Sequence, residues 1–483
     1  MHKNALPSTY GNDEPHEACG VIGVYAPGED VARTAFFGLF ALQHRGQESA
    51  GIAASDGSGI NVHTSMGLVA QAFREDDLES LKGHISIGHT RYSTMGAPRR
   101  NNAQPIISTG GDRELALAHN GNVINARPLR EKLERQGARF SGTSDSEVIS
   151  EMYARAPGDT WPERSAYCMT RLQGAYSLTM MTKDQLIGVR DPLGIRPLCL
   201  GRLNKGWVIA SESCAIDHIG GTYEREIMPG ETVVVDESGI HSSVWPGARS
   251  QHAMCIFEHT YFARPDSLLN GERAYENRLK MGAELAREHP ADADMVVGIP
   301  DSSLAAAVGY ARESGIPYGD ALVKNRYVGR TFIEPSQSMR SVGVGMKFNT
   351  LPGQIEGKRI VVVDDSIVRG TTTPRVVDLL RQAGAREIHM RVATPPVKST
   401  CHFGVDMGTL AELIAANHSI EEIREYIGAD SLRFLSIEGL RRAVSAEPGA
   451  FCDGCFTGRY PIEVEPESDK MRFEALATAG ARS

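Results

Sequence analysis

Short apolar, β-branched runs alternate with helically spaced stretches along most of this chain, and the pattern changes character near its middle. In the first half, Cys19–Tyr25, Ile85–His89, Leu115–Ala118, Tyr176–Met181 and Thr232–Val235 read as strands. Helical spacing over Ala35–His44, Arg127–Gln136 and Ser146–Ala154 falls between them. Strands and helices mixed in this order predict a layered α/β sandwich over residues 19–250. From 251 to 460 strands and helices alternate more regularly. Met295–Ile299, Ile360–Val363 and Ile388–Val392 read as parallel strands of a doubly wound sheet, with sides buried under helices. Pro374 opens a helix carrying Val376, Val377, Leu379 and Leu380, which stops near Gly384. Two further helical stretches, Thr409–Ala416 and Ser419–Tyr426, each open with a capping box, Thr409 with Glu412 and Ser419 with Glu422.

Composition narrows the function classes. Hydrophobic content of 41% and charged content of 23% are those of an ordinary globular protein. A net charge of −9 argues against a nucleic-acid binder working by bulk electrostatics. No apolar run approaches the ~18–20 residues of a membrane span. Residues 1–18 are polar, with Pro7 and Pro15, and lack the apolar centre of a secretory signal, so a cytoplasmic location is expected. Residues 461–483 read as a polar tail. Eight cysteines in a chain of this length make no disulfide scaffold, and Cys168, Cys199 and Cys214 sit among apolar neighbours as core residues.

The densest chemistry lies at the end of the Ile360–Val363 strand. Asp364 and Asp365 stand where open α/β sheets place their ligands, and the turn Ser366–Thr373, with Arg369, Gly370, Thr371, Thr372 and Thr373, leads into a helix N-terminus. Turn N–H groups and the helix dipole suit a phosphate, and paired carboxylates beside it suit ribose hydroxyls and magnesium. Pro300–Ser303 follows another strand at the same sheet end, so Ser302 or Ser303 is a further magnesium ligand. Lys324, Arg326 and Arg330 fall in a segment that reads either as a solvated loop or as a lid carrying cations to phosphate.

In the first half Cys19 begins a strand after a dispensable polar leader. Taken alone, such a cysteine is more often buried filler. With residues 1–18 removed it carries its own α-amino group, a base with a pKa of about 7.7–8.0 for its thiol. Cys255, Cys401 and the pair Cys452/Cys455 remain; by ligand type four thiolates suit zinc or an iron–sulfur cluster equally.

The run Arg359–Thr373 resembles the signature of the type I phosphoribosyltransferases, which bind phosphoribosyl pyrophosphate (PRPP). Gln43–Glu48, Gly88–Thr94, His119–Asn122 and Gly142–Glu147, taken with Cys19, resemble the glutamine-amide-transfer domain of the N-terminal-nucleophile hydrolases. Together the halves are similar to the glutamine PRPP amidotransferases over about residues 19–460. The resemblance implies an N-terminal-nucleophile αββα sandwich followed by a type I phosphoribosyltransferase domain. It implies Cys19 as nucleophile, Asn120 and Gly121 as oxyanion hole, Arg91 and Asp145 as glutamine holders, and Ser302 as the favoured serine for magnesium. Cys255, Cys401, Cys452 and Cys455 match the branch with a 4Fe–4S cluster and a short cleaved leader. The implied reaction takes glutamine, water and PRPP to 5-phosphoribosylamine, glutamate and pyrophosphate, the entry to purine synthesis. Inhibition by purine nucleotides and a homotetramer are expected on the same ground.

Overall fold

The computed structural model describes residues 19–92, 100–110, 114–248, 252–325, 348–445 and 449–464. The leader 1–18, Arg326, Arg330 and most of the tail lie outside the described residues.

Two antiparallel sheets make up the first half. One runs Thr222–Glu226, Cys199–Leu203, Gly206–Ala210, Gly20–Tyr25, Ile85–Arg91, Ser49–Ser55, Ile60–Met66. The other runs Gly239–Val244, Glu231–Asp236, Leu186–Arg190, Gly174–Met181, Leu115–Val123, Ile106–Ser108. Successive side chains of a strand point to opposite faces, so each strand serves two cores. Val21 packs between the sheets with Ala116, Ala118 and Val233, whereas Ile22 and Val24 pack outward against the helix Val31–Ala41. Helices Asp145–Arg155 and Trp161–Met169 cover the outer face of the second sheet. The layers are helix, sheet, sheet, helix.

The second half holds a parallel sheet in the order Met295–Gly298, Arg359–Asp364, Glu387–Val392, Ser431–Phe434. Val361 and Val363 face a core shared with helices Ala274–Glu288 and Leu304–Ser314. Ile360 and Val362 face the opposite core with helices Thr373–Gln382 and Ile420–Ile427. The strand Ser431–Phe434 and the helix Ile437–Ala443 behind it are additions to the sequence reading.

Two predicted elements differ in form. The strand expected over Leu115–Ala118 continues to Val123 and takes His119–Asn122 inside it. Asn-Gly favours turns locally, but here Asn120 pairs with Ser177 and Gly121 with Tyr176, and the ladder decides. Gly121 has φ +150, and a Cβ there would lie 2.0 Å from the Ala175 carbonyl oxygen, so only glycine fits. The helix expected over Thr409–Ala416 is broken into a 3₁₀ turn, Leu410–Glu412, and a short helix, Ile414–Asn417. Leu413 between them is extended and fully buried, which frees the Ile414 N–H to bond the Val368 carbonyl at 3.0 Å. Both capping boxes form.

A buried ion network joins the halves. Arg45 Nη1 donates to Glu212 at 2.5 Å and Nη2 to Glu258 at 2.7 Å, while Arg196 Nη1 donates to the same Glu258 oxygen at 2.9 Å. Burial opposes the charge on Glu258, but Arg45 and Arg196 outweigh it and hold its carboxyl below the usual range. Breaking a buried pair costs more than forming it gains, because the remaining charge is left uncompensated. Glu258→Ala takes the carboxylate partner from Arg196 and one of the two from Arg45, and is expected to destabilise the protein by about 3–5 kcal/mol. Denaturant unfolding of this variant beside wild type checks it: an unshifted midpoint would show that water relieves the arginines.

Candidate active sites

Cys19 immediately precedes the central strand Gly20–Tyr25 and is buried. Its backbone carbonyl accepts from Arg45 Nε at 3.1 Å, and its thiol donates to the Tyr92 carbonyl at 3.4 Å. Burial pushes the Cys19 thiol up; the Tyr92 bond and the nearby Arg91 pull the other way, with Glu48 and Asp145 adding to the rise. A thiol held neutral in this way needs a base before it attacks anything.

Arg91 ends the neighbouring strand Ile85–Arg91, with Glu48 3.7 Å from its guanidinium. Asp145 opens the helix Asp145–Arg155, which Ser144 caps. One Asp145 oxygen accepts the Val123 N–H at 2.9 Å and lies 3.8 Å from His119 Nδ1. Asp145 thus ties the strand carrying Asn120 and Gly121 to the surroundings of Cys19. Asn120 is fully buried, and among the described residues neither its side-chain nitrogen nor its oxygen has a hydrogen-bond partner. Leaving a buried amide unmet costs about 1–3 kcal/mol, which a stable fold tolerates where a ligand completes the bond. His89 and His119 are buried, and His89, pushed down to about 3 by burial, is a neutral core histidine.

The second site lies at the carboxyl end of the parallel sheet. Asp364 closes its strand and Asp365 follows, both nearly buried. Ser302 Oγ donates to Asp365 at 2.5 Å, and Ser303 Oγ to Asp364 at 3.1 Å and to Asp365 at 3.3 Å. Both candidate serines therefore reach the acids. Carboxylates and hydroxyls are hard oxygen donors, the set magnesium takes when substrate phosphates supply the rest. Ser366–Thr372 leads into the helix Thr373–Gln382, with Thr371 and Thr373 buried in the turn. Arg369 turns towards Glu412, 3.5 Å away. Lys324 bonds Asp301 at 2.8 Å, beside the serines.

Cys255, Cys401, Cys452 and Cys455 come from three distant segments of the chain to one buried patch. Cys255 and Cys452 are partners in a short parallel pairing. The Cys455 carbonyl accepts from Lys398 and Ser399, which draws in the stretch leading to Cys401. Burial raises the Cys455 thiol first, and the other three cysteines add to the rise, so all four share one electrostatic neighbourhood. Among the described residues no three His, Cys, Asp or Glu side chains close on a single metal ion. Soft thiolates spread over one patch fit a four-iron cluster, in which each takes its own iron.

Residues 402–404, which the sequence reading passed over, pack against the strand of Asn120 and Gly121. Asn122 Nδ2 donates to the His402 carbonyl at 2.8 Å and Arg196 Nε to the Phe403 carbonyl at 3.1 Å. Gly404, with φ +97, rests on the backbone of Gly121. Arg45, Glu212 and Glu258 were missed as well; only the Gln43–Glu48 motif pointed near them.

The fold and the two centres define a glutamine-handling domain joined to a phosphoribosyl-transferring one. Residues 89–218 match the glutamine amidotransferase domain family and residues 266–396 the phosphoribosyl transferase domain family. The chain is 50% identical over 475 residues to the amidophosphoribosyltransferase of Synechococcus elongatus, spanning 97% of this chain and 96% of that one. It is 47% identical to that of Archaeoglobus fulgidus, spanning 93% and 99%. The chain belongs to the amidophosphoribosyltransferase family. The solved glutamine PRPP amidotransferase of B. subtilis, complexed with ADP and GMP, superposes with a TM-score of 0.87 at 44% identity, covering 93% of this chain and 98% of that one.

Proposed function

We propose that this protein converts glutamine, water and PRPP to 5-phosphoribosylamine, glutamate and pyrophosphate, the first committed step of purine biosynthesis. The observation that carries the reading is the pairing, in one chain, of a buried thiol near a partnerless amide with a carboxylate pair at a phosphate-type turn.

Loss of residues 1–18 gives Cys19 a free α-amino group, which takes the thiol proton as the sulfur attacks the glutamine side-chain amide. Arg91 pairs with the substrate carboxylate and Asp145 takes its ammonium. Asn120 Nδ2 and the Gly121 N–H stabilise the tetrahedral oxyanion. Ammonia leaves, and water hydrolyses the thioester to glutamate. At the second site Asp364 and Asp365 hold the ribose hydroxyls, and Ser366–Thr373 holds the 5-phosphate. Lys324 is the described cation assigned to the pyrophosphate, and the same charge role is assigned by residue type to Arg326 and Arg330. Asp364, Asp365 and Ser302 would hold magnesium, which when bound would neutralise charge on the leaving pyrophosphate. Ammonia then attacks C1.

The same phosphate cradle admits a purine nucleotide, so AMP, ADP, GMP and GDP are expected to slow the enzyme at subsaturating PRPP. The 4Fe–4S cluster, bound by Cys255, Cys401, Cys452 and Cys455, serves structure. We further place the enzyme in the cytoplasm as a homotetramer, which light scattering tests.

The decisive experiment is anaerobic glutamate release with and without PRPP and magnesium. Release that rises with PRPP, matched by pyrophosphate, is expected; release indifferent to PRPP would overturn the reading. The base assignment carries its own pH signature. Glutamine-dependent kcat/KM should fall about tenfold per unit below the amine range of about 7.7–8.0. A profile flat through that range would remove the amine from the mechanism.

A further inference from the structure

Arg196 is the one arginine in the buried network whose donors are incompletely used. Its side chain is fully buried, Nε bonds the Phe403 carbonyl and Nη1 bonds Glu258, yet among the described residues Nη2 has no hydrogen-bond partner. A buried guanidinium that leaves donors unmet loses water without compensation. Backbone bonds tie this arginine to the segments that carry two of the cysteines. Cys255 N–H bonds the carbonyl of Ile195, the residue before Arg196, at 2.9 Å. Phe403, whose carbonyl Arg196 holds, donates its own N–H to the Cys401 sulfur at 3.3 Å. Arg196 is therefore fastened on one side to the strand of Cys255 and on the other to the loop of Cys401.

We infer that Arg196, a residue of the glutamine-handling domain, is the hydrogen-bond donor and counter-charge for the sulfur-bound centre held by the second domain's cysteines. The inference rests on the cluster reading above and extends it to a residue outside the four ligands. Four thiolates around iron and sulfide carry net negative charge, and this patch is buried among Phe257, Phe456 and Phe403. Hydrogen bonds to sulfur and nearby positive charge are the levers that set a cluster's reduction potential, because they favour the more negative, reduced state. Arg196 also bonds Glu258, Glu258 bonds Arg45, and Arg45 bonds the Cys19 carbonyl. Loss of the centre would thus release a positioning chain that ends at the nucleophile. In this role Arg196 acts through Glu258 and Arg45 and is a positioning residue.

The test reads the centre itself, using the anaerobically purified full-length protein. Arg196→Gln should lower the cluster's midpoint about tenfold in its reduction equilibrium, or 59 mV for one electron, and Arg196→Lys, which keeps the charge and loses Nη2, should lower it less. As a readout independent of how either variant folds, wild type is labelled with ¹⁵N-arginine. Its reduced cluster should show a ¹⁵N coupling by pulsed electron paramagnetic resonance. Iron-replete variants with an unchanged midpoint, or a wild-type cluster without any ¹⁵N coupling, would overturn the role of Arg196. Active protein free of iron would instead sink the cluster reading, and this inference with it.

Discussion

Cys19→Ala is expected to bring glutamine-dependent synthesis to background while synthesis from added ammonia survives. The thiol is the proposed nucleophile, and it sits at the head of the central strand of the first domain. The acids and phosphate turn that would activate PRPP are carried by a separate sheet with its own two cores. Alanine keeps the small apolar volume that the buried Cys19 fills, so folding should survive the change. Steady-state rates with glutamine and with ammonium salts at high pH separate the two activities. Equal loss of both would mean that Cys19 supports the whole protein and is no nucleophile.

Gly404→Ala should show nearly the same division from the other side of the interface. A Cβ at Gly404 would lie 2.9 Å from the carbonyl carbon and oxygen of Gly121 and 3.1 Å from its Cα. All three are backbone atoms, which have no rotamer by which to move aside. The backbone angle there, φ +97, adds strain for any side chain. Gly121 must shift, and its N–H is the proposed oxyanion donor. Removing one such donor costs about 10²–10³ in rate, and a shift of the donor approaches that loss. Glutamine-dependent kcat should therefore fall by about two orders of magnitude, with ammonia-dependent synthesis retained. Unchanged glutamine use would show that Gly121 is not part of the oxyanion hole.

Much of the architecture was legible before any coordinates. The strand Arg359–Asp364 reads plainly because a β-branched run ending in two acids has few other uses. The capping boxes at Thr409 and Ser419 were readable because a cap is a local bond between neighbours in sequence. The extension of Leu115–Ala118 to Val123 was hidden because Asn120-Gly121 favours a turn until a partner strand pairs with it. The break at Leu413 was equally hidden, since its cause is a bond to Val368 some forty-five residues away.

The sites divide in the same way. By itself the sequence determined which residue types gather into motifs: a cysteine heading a strand, paired acids at a strand end, a Gly-Thr turn before a helix and four further cysteines. Those are properties of residue type and short spacing. Only the tertiary structure decided what lies between them. Gly404 seated on Gly121, the Asn122 bond to His402, and the buried run from Arg45 through Glu258 to Arg196 each join residues more than forty positions apart. No local pattern marks such contacts, because a buried charge or a close backbone approach acquires its meaning from the partner that folding brings to it.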